Sequence, residues 1–118
     1  MPAPAQNAVD LMFRAFSDPI RLRFLHLLRE EELCVCDLVE ILQAPQPTVS
    51  RHLSYLRRAG LVQTRQQQSW SFYALAPAKK AFHKKLLECL GACFGDVPAL
   101  ERDAGRARKV RARGGCCP

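Results

Sequence analysis

The residues best equipped for chemistry are thiols, six cysteines in three pairs: Cys34 and Cys36, Cys89 and Cys93, Cys116 and Cys117. Thiolates hold soft or borderline ions such as As(III), Sb(III), Cu(I), Cd(II) and Zn(II) in preference to hard cations. Spacing separates the pairs. Cys34 and Cys36 can share an ion in an extended chain, where alternate residues point to one side; in an α-helix they would stand about 200° apart. Cys89 and Cys93 lie one helical turn apart and can bind one ion, but they share a face with Phe82, Leu86 and Leu90 and read first as small core residues. Cys116 and Cys117 form a vicinal pair on a basic tail, unsuited to a core and able to reach a site as additional ligands. Cys34 and Cys36 are therefore the first choice for a metal centre. Oxidation of Cys89/Cys93 or Cys116/Cys117 is the rival chemistry. No Gly-rich phosphate cradle accompanies any cysteine, which argues against a thiol enzyme, and neither catalytic residues nor an organic cofactor are expected.

A chain of 118 residues is one domain by length, and small enough that dimerisation would help to stabilise it. Its net charge of +7 favours a polyanionic partner. No stretch approaches the roughly 18 apolar residues of a membrane span, so no membrane partner is expected. The first ten residues, MPAPAQNAVD, have neither the cationic start nor the apolar run of a signal peptide, so a cytoplasmic protein is expected. Six cysteines there are unsuited to permanent disulfides and point back to metal or redox chemistry.

An ion held at residues 34–36 acts on whatever follows. Asp37 to Gln43 reads as a short helix with Leu38, Ile41 and Leu42 inward, and Ala44-Pro45 turns the chain into Gln46 to Val62. Pro47 suits the first turn of that next helix and Gly60 the position just past its end. Val49, Leu53 and Leu56 form one apolar stripe. Opposite it stand Thr48, Arg51, Ser54, Tyr55 and Arg58, a face of hydroxyls and guanidinium groups that can donate to phosphates and base edges in a major groove. Two short helices joined by a tight turn make a helix-turn-helix.

Upstream, Val9, Met12, Phe13 and Phe16 describe an amphipathic first helix whose face suits a second subunit. Ser17-Asp18-Pro19 stops it and caps a second helix, to about Arg29, that buries Ile20, Phe24, Leu27 and Leu28 and exposes Arg21 and Arg23. His26 reads as a surface or half-packed residue. Downstream, LVQTRQQQSWSFYALA changes the period to two and reads as a hairpin turning near Gln66 to Ser69, with Arg65 reaching a phosphate and Trp70 packing at its base. Pro77 opens a last long helix. The whole is mainly α with a small β-hairpin, a winged helix-turn-helix in the order α-α-α-α-β-β-α. Residues 1–8 are a flexible arm, 9–94 a DNA-binding and dimerisation domain, and 95–118 a basic, Cys-ending tail, flexible until it meets a partner.

SDPIRLRFLHLL (Ser17 to Leu28), ELCVCDL (Glu32 to Leu38) and QPTVSRHLSYLRRAGLV (Gln46 to Val62) together resemble the ArsR/SmtB family of metal-responsive repressors, over about residues 9 to 94. The resemblance implies a homodimer that binds double-stranded operator DNA when metal-free and leaves it when a thiophilic or divalent ion binds. ELCVCDL is most similar to the arsenite and antimonite branch, in which thiols of this segment hold a three-coordinate As(III). It nominates Cys34 and Cys36 as ligands and Gln46, Thr48, Ser50, Arg51 and His52 as DNA-side residues, although the helical phase of His52 suits packing or a phosphate contact. That branch often has a third cysteine where this chain has Val39. The cadmium and lead branch uses cysteines of the N-terminal arm, absent here; zinc-sensing members use carboxylates and histidines of the last helix, where only His83 stands, with Glu88, Cys89 and Cys93 beyond. The wing turn lacks its usual glycine. The leading expectation is an As(III)- or Sb(III)-induced repressor; the alternatives are a cadmium, lead or zinc sensor, or a thiol-redox sensor, of the same fold.

Overall fold

The stop and restart at Ser17 to Pro19 is a capped helix start in the computed structural model, which describes residues 4–92 and 96–115, with side chains from residue 9. Helix α1 (Pro4–Phe16) ends there and α2 (Pro19–Leu28) begins, with the Asp18 carboxylate accepting from the N–H groups of Ile20 at 2.8 Å and Arg21 at 3.1 Å. A two-residue strand β1 (Leu33–Cys34) leads directly into α3 (Val35–Leu42), and Gln43 in a left-handed conformation closes that helix. Helix α4 (Gln46–Arg58) follows. Its end is a Schellman turn: Gly60, at φ +79°, donates to Arg57 O and Leu61 donates to Leu56 O, both at 3.0 Å.

Strands β2 (Val62–Gln67) and β3 (Trp70–Leu75) form the expected hairpin, and β1 adds to its other edge to give an antiparallel sheet in the order β1-β3-β2. The two-residue turn holds Gln68 at φ +57° where a glycine would sit without steric cost. Trp70 pairs with Gln67 next to this turn, so it stands at the tip of the wing, not at its base. Beyond the wing come α5 (Ala81–Ala92) and α6 (Pro98–Ala112).

The core lies where α2, α3 and α4 meet: Phe24, Leu25, Leu38, Ile41, Val49, Leu53, Leu56 and Leu61 are fully buried. Each large apolar side chain so buried contributes roughly 1.5–3 kcal/mol, which fixes α4 with its polar face outward.

Four expectations need correction. α1 starts at Pro4, within what the sequence suggested as a flexible arm, and α5 starts at Ala81, since Pro77 to Lys80 stay exposed and non-helical. The tail expected to be flexible forms α6, which buries Leu100, Asp103, Ala107 and Val110 against α2 and α3. Arg21 and Arg23, expected in solvent, are both engaged. Arg21 donates to the carbonyls of Arg14 (2.9 Å) and Ala15 (3.2 Å), and Arg23 makes two bonds, of 2.8 and 2.9 Å, to the carboxylate of Asp103. Phe13, on the face read as suited to a second subunit, is 54% exposed on this single chain.

Candidate thiol centre and nucleic-acid interface

Cys34 is both the last residue of β1 and the N-cap of α3, and its backbone is extended at φ −84°, ψ 161°. The Cys34 side chain makes no capping hydrogen bond, but its position places it next to the first helical turn, of which Cys36 is the second residue. The pair is therefore brought together neither as two residues of a strand nor as two of a helix, but by the junction between them. Their Sγ atoms stand 3.2 Å apart, well beyond the roughly 2.05 Å of a disulfide bond between them. Pairing of Cys34 with Phe72 across the sheet fixes the junction.

The carboxylate of Asp37, in the same turn, places an oxygen within 4.8 Å of both sulfurs. Among the described residues these three are the group of metal-ligating side chains drawn together in this way. The sequence showed Asp37 only as a helix start; its place beside Cys36 in the first turn was the available signal. A helix N-terminus also favours an anionic ligand set.

Two cavities open on this centre. One, of about 430 Å³, lies between the wing and the starts of α3 and α4, and Cys36, Val39, Gln46, Ser50 and Trp70 line it. The other, of about 420 Å³, lies toward the end of α6, and Cys34, Asp37, Phe72, Gly114 and Gly115 line it. Cys89 is half-buried on α5, outside the three-residue group. Cys93, Cys116 and Cys117 lie outside the described residues.

The outer face of α4 carries the suggested DNA-side residues together. Gln46, Arg51, Ser54 and Arg58 are exposed, as is Arg57, which the sequence reading passed over; Thr48, Ser50, His52 and Tyr55 are half-buried. The guanidinium of Arg21 stacks 4.0 Å from the Tyr55 ring centre and that of Arg58 lies 5.7 Å from it, so Tyr55 holds two cations near the helix. His52 packs beside Phe24, ring centres 6.5 Å apart, and its burial lowers its pKa from the usual 6.5. That is a packing histidine, as its helical phase indicated.

Arg65 is placed differently from the expectation of a free phosphate contact. It binds Glu32 at 2.6 to 2.9 Å, donates to Gln67 at 3.0 Å and stacks 4.5 Å over Phe72. Glu32 precedes β1 directly, so Arg65 ties the wing to the segment that leads into the thiol pair.

The helix-turn-helix has counterparts among known proteins. Residues 18–64 match the family model described as bacterial regulatory protein, arsR family. Over 97 residues the chain is 39% identical to the arsenical resistance operon repressor of Escherichia coli K12, a match that spans 80% of this chain and 83% of that protein. The chain belongs to the ArsR family. This ArsR-family chain is also 36% identical over 73 residues to the cadmium resistance transcriptional regulatory protein CadC of Listeria innocua, 61% of each. Its fold matches the crystal structure of the transcriptional repressor BigR from Xylella fastidiosa with a TM-score of 0.63 at 33% identity, covering 76% of this chain and 85% of that one. The family consists of DNA-binding transcriptional regulators, not enzymes. No helix among the described residues is long and apolar enough to cross a membrane.

Proposed function

We propose that this ArsR-family regulator is a homodimeric repressor induced by As(III) or Sb(III), which occupies a pseudo-palindromic operator when ion-free and leaves it when an ion closes on Cys34 and Cys36. The observation that carries the reading is the 3.2 Å separation of the two sulfurs. An ion about 2.3 Å from each, the usual length of a metal–thiolate bond, would see them about 90° apart. That angle suits a pyramidal trivalent centre with a lone pair better than the roughly 109° of tetrahedral zinc. Asp37 supports a second reading, since a Cys/Cys/Asp set also suits Cd(II) or Zn(II).

Two further observations support the switch. Helix α3 packs on α4, and Cys36 faces the same cavity as the α4 residues Gln46 and Ser50, so an ion that displaced the start of α3 would act next to the DNA-facing helix. In a second region, exposed Phe13 and Leu11 on α1 adjoin a mainly apolar cavity of about 640 Å³ that Met12, Val62, Phe82 and His83 line. That surface suits a second copy. In the dimer the two α4 helices would enter successive major grooves, about 10 base pairs or a multiple of that apart. Arg51, Arg57 and Arg58 would make binding strongly salt-dependent.

Titration of the reduced protein on its operator with As(III), Sb(III), Cd(II) and Zn(II) tests the reading. A coupling of roughly 1–3 kcal/mol is expected, lowering operator affinity about 5- to 150-fold. Cys34→Ser with Cys36→Ser should bind the operator as the native chain does and ignore the ion. Normal release by arsenite from that variant would refute the mechanism.

A further inference from the structure

We propose that the cavity between α1, the end of α4 and the start of α5 is a second ligand site, which takes a small apolar organic acid and acts on DNA binding independently of the thiols.

The cavity holds about 640 Å³, inside the roughly 300–1,000 Å³ usual for small-molecule sites. Leu11, Met12, Val62, Pro77 and Phe82 give it apolar walls, and the exposed cations Arg58, Lys79 and Lys80 border it. Among the described residues no carboxylate lines it. Apolar walls with three cations and no acid complement an apolar body that ends in one negative charge.

The start of α5 adds polar hydrogens to this surface. The first intrahelical bond of α5 runs from the Lys84 N–H to Lys80 O at 3.0 Å, which makes Lys80 the N-cap. An ammonium cannot accept from the N–H groups of the first turn as a serine or aspartate would. A carboxylate from outside can take that role, and the positive end of the helix dipole favours it.

His83 points to a ligand independently. It is 2% exposed and lines the same cavity, and its buried Nε2 has no hydrogen-bond partner among the described residues. A buried polar atom left unpaired is costly, and a ligand carboxylate accepting from Nε2–H removes that cost. Burial holds the ring below its usual pKa of 6.5, so at neutral pH it is an uncharged imidazole able to donate from Nε2. Lys80 and His83 are three positions apart at the helix start, close enough to share one headgroup.

Arg58 links the cavity to DNA. It lines the cavity and stands on the outer face of α4, beside Tyr55. Gly60, just past the end of α4, and Gln63 of the wing line it as well. A carboxylate that draws Arg58 inward takes it from a phosphate, so acid and operator each weaken the other by linkage. A second copy seated on Leu11 and Phe13 would border the cavity, which makes the dimer the form to test.

The test uses the reduced, ion-free, full-length dimer, with octanoate as probe and octanol as its uncharged counterpart. Calorimetry should show one octanoate per chain, bound about tenfold more tightly than octanol, the worth of one charge-assisted bond. The nitrogen NMR signal of the His83 ring should move with octanoate and stay in place with octanol. Lys79→Gln with Lys80→Gln should remove the preference for octanoate. Ala76→Phe fills the cavity from its wall and should weaken both probes about tenfold, with thermal melting as the folding control. Saturating octanoate should lower operator affinity about fivefold, equally in the native chain and in C34S/C36S. Equal affinity for the two probes, native binding in A76F, or no binding because a second copy fills the cavity would overturn the site. A response lost in C34S/C36S would overturn its independence of the thiols.

Discussion

Helix α4 carries its own instructions. A proline in its first turn, Gly60 past its end and a stripe of Val49, Leu53 and Leu56 fix its limits and its outward face within seventeen consecutive residues. The thiol centre is made otherwise: Cys34 is set by pairing with Phe72, thirty-eight positions later, and Gly115 meets Asp37 from seventy-eight positions away. The DNA-facing surface is thus a local product of the sequence, and the ion-facing one a product of assembly. It follows that the two can be separated, because changes that loosen the assembly should disturb sensing before they disturb DNA binding.

The strongest way to sharpen that contrast is to make the sensor local too. Val39 lies one turn beyond Cys36, on the same side of α3, and lines the same cavity. Val39→Cys, which places three thiols on one segment, should lower the arsenite needed for half-release, with the change in operator affinity staying within the roughly 5- to 150-fold range. Operator titration with and without arsenite checks this. A switch no more sensitive than the native one would mean that a third local thiol adds nothing to the hold that Cys34 and Cys36 have on the ion.

A second change breaks the assembly directly. Arg23→Ala leaves the carboxylate of Asp103 buried without its bidentate partner. Losing one member of a fully buried pair costs about 3–5 kcal/mol. Arg23 is 24% exposed, which admits water and lowers the expectation to about 2–3 kcal/mol. Urea unfolding should show that loss, and arsenite affinity should fall with it, while the remaining folded protein binds its operator normally. An equal loss of operator affinity would show that α4 depends on α6 and is less local than its sequence implies.

The sequence was informative where the physics is short-range and silent where it is not. The cap at Asp18, the turn at Gly60 and the hairpin from Val62 to Leu75 each rest on neighbouring residues, and each is present. The pair Cys34 and Cys36 was visible as spacing, but its geometry was not, because the N-cap position that joins the sulfurs exists only once β1 has stopped at Cys34. Helix α6 was hidden for a different reason. Its mean character is strongly charged, with Arg102, Arg106, Arg108, Lys109 and Arg111 along it, so it resembles a solvated tail. What makes it a packed helix is the burial of Leu100, Ala107 and Val110 together with Arg23, which the sequence placed in water, and the backbone of α3.

Acid should attack both halves of the molecule at once, with the smallest effect of the three. Burial is the leading cause that holds His26, His52 and His83 below the usual pKa of 6.5. His52 sits on α4, while His83, 2% exposed, is buried on α5 with no hydrogen-bond partner for its Nε2 among the described residues. For each, the folded chain binds a proton less readily than the unfolded chain. Their contribution is therefore complete above about pH 6.5 and is lost as the pH falls from there through the folded-state values. Urea midpoints measured from pH 8 down to 5 should stay level at first and then decline. His83→Leu should make that decline shallower, since an unpaired imidazole in an apolar site is the group that gains most by leaving it to become charged. If the decline were unchanged in that variant, the acid sensitivity would belong to His52 and His26, and would then report on the DNA-facing helix and its neighbour α2.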